Sequence, residues 1–141
     1  VVCLISTLEH LEDPNFILKL IKQSKIKYLY TCIPLFSLST FIENVFPNVY
    51  PRQLNASHTH LYTYKSIKYM TKKFKFNILG EWWFGTDISD FYRSVLLNSN
   101  YFDKEYIKYF NKLFGDHIDD LQNVLDKKKL SCEVHLVLKV N

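Results

Sequence analysis

Residues 1–5, Val-Val-Cys-Leu-Ile, form an unbroken apolar run, which predicts a strand buried on both faces. Asp13 is suited to cap a helix and Pro14 to open it. Phe16, Ile17, Leu20 and Ile21 follow at helical spacing and predict one buried face. The polar stretch at 22–25 ends that helix. Residues 26–33, "IKYLYTCI", predict a second strand, stopped by Pro34. Strand, helix and strand make a βαβ unit, and so two parallel strands in a sheet with covered faces.

Residues 35–62 carry Pro47 and Pro51 and no sustained period. A connection of this length is functional or holds short helices of its own. Thr63 is suited to cap a helix reaching about residue 74, with Ile67, Met70 and Phe74 inward. Residues 76–83 predict a third strand, alternating Phe76, Ile78, Gly80 and Trp82 against Asn77, Leu79, Glu81 and Trp83. Helical segments follow at about 87–97, 103–114 and 116–126, with Gly115 in the turn between the last two. There Phe91, Tyr106, Ile107, Phe110 and Leu113 fall at core spacing. Residues 130–140 predict a last strand. Cys132, Val134, Leu136, Leu138 and Val140 face one way, and Ser131, Glu133, His135, Val137 and Lys139 the other.

Composition narrows the class. A chain of 141 residues with 48% hydrophobic and 16% aromatic content is a folded domain with a core, not a disordered segment. Its 3 Gly are few for the tight turns of an α/β domain. The net charge of +4 is spread over separated Lys residues, which reads as solvated helix faces; no nucleic-acid patch is expected. No stretch is apolar for long enough to span a bilayer, and no signal-peptide pattern is present. Cys3, Cys32 and Cys132 each fall in or beside a predicted strand, without a CxxC pair. That usage predicts reduced, buried thiols in a cytoplasmic protein, with no catalytic or metal-binding trio. The chain opens on Val1 and its strands leave apolar sheet edges, which predicts a fragment with strands preceding Val1.

The order of these stretches carries a resemblance. The first strand leads into "LEHLEDP" at 8–14, then a helix, a strand and Pro34. A loop with Arg52, Asn55, His58 and His60 follows. Thr63 and Ser66 open a helix that runs into "FKFNILGEWW" at 74–83, and "SCEVHLVLKV" stands at 131–140. The sequence resembles class I S-adenosylmethionine-dependent methyltransferases, closest to the small-molecule group that includes the ubiquinone-pathway O-methyltransferases. The resemblance implies an α/β, Rossmann-like methyltransferase fold, of which this chain is the C-terminal half, a partial domain over 1–141. Residues 1–5 would be its fourth strand, 26–33 the fifth, 76–83 the sixth and 130–140 a terminal antiparallel seventh. A helical insertion would lie at about 87–126. The glycine-rich cofactor loop and the acidic ribose-binding residue belong to the first half of that fold and have no counterpart here. The usual Gly-containing turn before the fifth strand is replaced by Gln23-Ser24-Lys25.

Site expectations follow from the resemblance together with fold geometry, since ligands in open α/β sheets bind beyond the carboxyl ends of the strands. Ser6, Thr7, Leu8 and Glu9 leave such an end, and the resemblance implies that they border the methionine side of S-adenosylmethionine and the methyl acceptor. Glu9 orients a hydroxyl or the cofactor's ammonium, or else caps and solvates the next helix start. His10 deprotonates the acceptor, or packs in the crevice. Some relatives carry a second carboxylate, a metal ligand, three residues before that Glu. Ser6 stands there, so no metal is expected.

His58 and His60 point the same way on extended backbone. They are bases facing the substrate or histidines that pin the loop; a metal pair would need a third ligand nearby. Arg52 suits an anionic substrate group, or is a plain surface residue. Trp82 and Trp83 point to opposite faces, one into the core. Trp83 with Asp87 is the candidate acceptor wall, and the alternative for Asp87 is a helix N-cap.

The expected function is methyl transfer from S-adenosylmethionine to a small-molecule acceptor, with the 141 residues inactive by themselves. The alternative is a non-catalytic module of the same fold, acting in partner binding or scaffolding. The aromatic helices after Asp87 are a candidate homo-oligomer interface.

Overall fold

The computed structural model describes residues 1–54, 57–99 and 103–140. Asn55, within the histidine loop, lies outside them. The elements are β1 (Val2–Ile5), α1 (Pro14–Gln23), β2 (Tyr28–Pro34), α2 (Leu38–Val45), α3 (Tyr64–Phe74), β3 (Asn77–Phe84), α4 (Asp87–Asn98), α5 (Lys104–Leu113), α6 (Ile118–Lys127) and β4 (Glu133–Lys139). The strands form one mixed sheet in the order β1-β2-β4-β3. β1 pairs parallel with β2, and β4 runs antiparallel to both β2 and β3. β2 and β3 therefore run the same way, with the last strand of the chain between them. This is the α/β architecture expected, with crossover helices and a final antiparallel strand.

The helices start where their caps are. The Asp13 side chain accepts from the Phe16 N–H at 3.2 Å, and Pro14 opens α1. Thr63 and Ser66 form a reciprocal capping box at α3, and Ser37 and Thr40 form another at α2. One sheet face holds the core. Leu29 and Ile33 of β2, Val134, Leu136 and Leu138 of β4, and Trp83 of β3 pack against Leu18 and Ile21 of α1 and Ile67, Met70 and Phe74 of α3. Fully burying a Leu or Ile side chain contributes about 1.5–3 kcal/mol.

Four expectations are corrected. In α1 the inward stripe is Pro14, Leu18 and Ile21 with Ile17 half-buried, while Phe16 and Leu20 are exposed. The apolar arc is wider than the contact, and packing selects its phase. In β3 the register shifts between Ile78 and Gly80. One extra residue moves Gly80 and Trp82 to the face opposite Ile78, which breaks the alternation expected over 76–83.

The connection at 35–62 contains α2. In α5 no residue is buried, so Tyr106, Ile107 and Leu113 are not core. Its Phe110 instead stacks on Tyr92 and Phe114 at the margin. Among the thiols, Cys32 and Cys132 are buried but Cys3 is exposed. No helix among the described residues is long and apolar enough to cross a membrane.

Candidate functional site

The carboxyl ends of β1, β2 and β3 meet at one edge of the sheet, together with the start of β4. β1 stops because Ser6 takes a φ of 44°, in the left-handed region that a side chain disfavours. Its N–H still donates to the Cys32 carbonyl at 3.3 Å, so the turn is anchored to β2. The Thr7 hydroxyl donates back to the Ile5 carbonyl at 2.9 Å. Leu8–His10 then form a single 3-10 turn in which Leu8 and Glu9 are buried.

The histidine loop lies across this turn. The Glu9 carbonyl accepts from the Thr59 N–H at 2.8 Å and from the His60 N–H at 3.2 Å. The Thr59 hydroxyl sits 2.9 Å from the carbonyl oxygens of Glu9 and Leu11. The Tyr62 hydroxyl donates to the Leu8 carbonyl at 3.3 Å. These bonds bring His58 to His10, with ring centroids 4.8 Å apart and planes at 67°.

Both rings are oriented through Nδ1. His10 Nδ1 donates to the Ser57 carbonyl at 2.9 Å and His58 Nδ1 to the Gln53 carbonyl at 3.1 Å. A carbonyl only accepts, so in the neutral rings Nε2 carries the lone pair. Glu9 completes the group. It is 1% exposed, and its Oε1 lies 3.8 Å from His10 Nε2. Its Oε2 is buried without a hydrogen-bond partner. An orphaned buried carboxylate oxygen asks for a cation or a donor that the described residues do not supply. The negative field is felt nearby: burial first, then the Glu9 charge, push the Tyr62 hydroxyl up to about 12.

Donor atoms of Glu9, His10 and His58 lie within 4.8 Å of one another, a set that could hold a metal ion. The expectation of no metal rested on Ser6 in place of a carboxylate; His58 supplies the third donor instead. His60 does not join it. Its Nδ1 lies 2.9 Å from the Thr59 hydroxyl and its ring lies beside Tyr62. The two loop histidines therefore part company, and sequence spacing alone could not reveal this.

The remaining candidates sit elsewhere. β1 and β3 occupy opposite edges of the sheet, about 14 Å apart at the usual strand spacing. Trp83 belongs to the core, edge-on to Tyr64. It is not a wall beside the 6–10 turn.

Asp87 is 0% exposed and bound on every side. Its Oδ1 accepts from the Ser37 hydroxyl at 2.5 Å and from the Ser39 N–H and hydroxyl at 3.1 Å. Its Oδ2 accepts from the Cys132 N–H at 2.8 Å and from the Gln122 amide at 3.5 Å. It is a clamp tying α2, α4, α6 and the entry to β4, and neither a simple N-cap nor an open substrate ligand. Gly85 leaves room for it, since a Cβ there would sit 2.6 Å from Asp87 Oδ2 and 2.9 Å from the Cys132 nitrogen.

Arg52 binds Thr86 and Asp90. It lines a cavity of about 220 Å³ between α2 and α4, with Glu43, Tyr50, Asp90 and Arg93. Glu43 receives the Gln53 and Leu54 N–H groups and so pins the same loop that carries His58. Sequence reasoning singled out neither Glu43 nor Asp90, because each acts through residues distant in the chain.

No protein-family model matches the chain, and no curated protein is significantly similar to it.

Proposed function

We propose that this chain belongs to a methyltransferase domain that transfers a methyl group from S-adenosylmethionine to a small-molecule acceptor. One observation carries this beyond the resemblance. At the carboxyl end of β1, the buried carboxylate of Glu9 keeps one oxygen unpartnered beside two imidazoles whose Nδ1 atoms each meet a backbone carbonyl. The antiparallel final strand and the common edge of the three parallel strands support the same reading.

The residues present fit the methionine end of that cofactor. Glu9 Oε2 would accept from its ammonium, with Ser6, Thr7 and Leu8 forming the adjoining turn. The glycine-rich loop and ribose-binding carboxylate of the resembled family have no counterpart among the 141 residues, so only the methionine end is assigned to them. When bound, S-adenosylmethionine supplies an electrophilic methyl carbon on a sulfonium. The chain's own contribution is positioning and proton transfer. His10 or His58 takes the acceptor hydroxyl proton at Nε2. The Ser57 and Gln53 carbonyls hold the tautomer that permits this. His60 holds the loop against the turn.

Calorimetric titration of S-adenosylhomocysteine into the whole polypeptide carrying this chain tests the reading. Binding is expected, and Glu9→Gln should weaken it roughly 10-fold or more, the worth of a charge-assisted hydrogen bond. His10→Ala or His58→Ala should leave this binding intact and lower methyl transfer. A well-folded protein that binds no S-adenosylhomocysteine sinks the enzyme reading in favour of the non-catalytic module.

A further inference from the structure

A second group of ligand-bearing side chains lies on the sheet face opposite the core. Cys32 of β2 and His135 of β4 are direct cross-strand partners. Glu133 precedes His135 by two positions and so shares its face. Cys32 Sγ, a Glu133 carboxylate oxygen and a His135 ring nitrogen all lie within 4.8 Å of one another. The backbone holding them is the central strand pair of the sheet, which fixes ligands more firmly than a loop does.

Three details go beyond proximity. First, His135 Nε2 is buried and makes no hydrogen bond, although it lies 3.4 Å from Glu133 Oε1. That separation matches two ligands of one ion: nitrogen and oxygen each about 2.1 Å from a tetrahedral centre lie about 3.4 Å apart. Second, Nδ1 of the same ring is held by the Tyr30 hydroxyl, the kind of outer contact that orients a ligating histidine. Third, Trp82 and Phe84 stand against the His135 ring at 5.4 and 5.0 Å and wall the cluster on one side.

Cys32 is also in contact with Glu133 through its sulfur. Burial, then the hydrogen bond and charge of Glu133, push the thiol up to about 12, so without a cation it stays a thiol. A bound cation would replace that proton.

We propose that Cys32, Glu133 and His135 form a binding site for a zinc-class divalent ion, with the fourth position open to solvent or a ligand. The donor set of one sulfur, one nitrogen and one oxygen selects this class. Magnesium and calcium take oxygen ligands. The site shares no residue with the Glu9, His10 and His58 group and differs from it in its sulfur donor, although Cys32 Sγ lies 4.0 Å from the Ser6 hydroxyl of the β1 turn.

Cobalt(II) titration of the whole polypeptide tests it, because thiolate ligation produces a sulfur-to-cobalt charge-transfer absorption that nitrogen and oxygen ligands do not. The expected result is a saturable band displaced by zinc, lost in Cys32→Ser and shifted to at least ~10-fold higher cobalt in His135→Asn. The double change Glu9→Gln with His58→Ala should leave the band intact. Circular dichroism checks that each variant folds, and Glu133→Gln gives a near-isosteric second probe. A folded protein without the band, or a band that survives Cys32→Ser, overturns the site. Cobalt binding lost only in the Glu9→Gln, His58→Ala double variant overturns it as well and assigns the ion to the β1 turn.

Discussion

Glu9 follows β1 and Asp87 follows β3, and both carboxylates are sealed from solvent just beyond the carboxyl ends of parallel strands. Their surroundings treat them oppositely. Asp87 receives donors from Ser37, Ser39, Gln122 and Cys132, which together satisfy both of its oxygens. Glu9 has an imidazole 3.8 Å from one oxygen and nothing on the other. Each also raises a neighbour. Burial, then the Asp87 charge, push the Cys132 thiol up to about 11, as burial and Glu9 do to Tyr62. A finished hydrogen-bond shell marks a structural carboxylate, and an open one marks a carboxylate kept for something that arrives.

The largest effect should come from removing the finished one. Asp87→Ala leaves the Cys132 N–H and the Ser37 hydroxyl buried without an acceptor, while Ser39 keeps Ser37 Oγ and Asp90, and should lower stability by roughly 3–5 kcal/mol in urea unfolding. Stability within about 1 kcal/mol of wild type would erase the contrast. Gly85→Ala attacks the same clamp by crowding. The backbone nitrogen of Cys132 cannot swing aside as a flexible side chain would, so a loss of about 1–3 kcal/mol is expected in the same assay.

Glu9→Gln should barely move stability, by about 1 kcal/mol at most and with either sign, while weakening S-adenosylhomocysteine binding. That pattern is the stability–function trade expected of a site residue. Its signature is spectroscopic as well: with the Glu9 charge gone, the Tyr62 hydroxyl should move down from about 12 in a tyrosinate absorbance titration compared with Tyr62→Phe. For the wild type the linkage has a definite sign. Tyr62 is raised from 10.0 to about 12 in the fold, so its contribution is whole below pH 10 and is lost as pH rises through 12. Cys132, raised from 9.0 to about 11, adds a loss across pH 9 to 11.

The elements that local chemistry specifies were readable in the sequence. Asp13-Pro14 and Thr63 with Ser66 announce α1 and α3, and the strict alternation of 132–140 announces a half-buried β4. What depended on tertiary contact was not. The β3 bulge has no residue signature beyond Gly80, and it reversed which tryptophan neighbour faces the core side. In the candidate site, Glu9 and His10 could be singled out because they end a strand. Their partnership with His58 depends on backbone bonds from Thr59 and His60 to the Glu9 carbonyl, which no local pattern encodes. Asp87 could be noticed, but its role came from four residues scattered over α2, α6 and the approach to β4.

The position of β4 has a consequence in time. Of the four strands it is made last, yet it fills the gap between β2 and β3 and pairs along seven residues with each. Until residues 133–139 leave the ribosome, β2 and β3 each present an unpaired edge, and the core side has no floor at Val134, Leu136 and Leu138. The nascent chain can form its helices and the β1–β2 pair, but it cannot close the sheet. A polypeptide stopped just short of Glu133 should therefore be more than a slightly shortened protein. It would be a collection of finished parts with exposed strand edges, held in the aggregation-prone state that a chain carrying β4 only passes through.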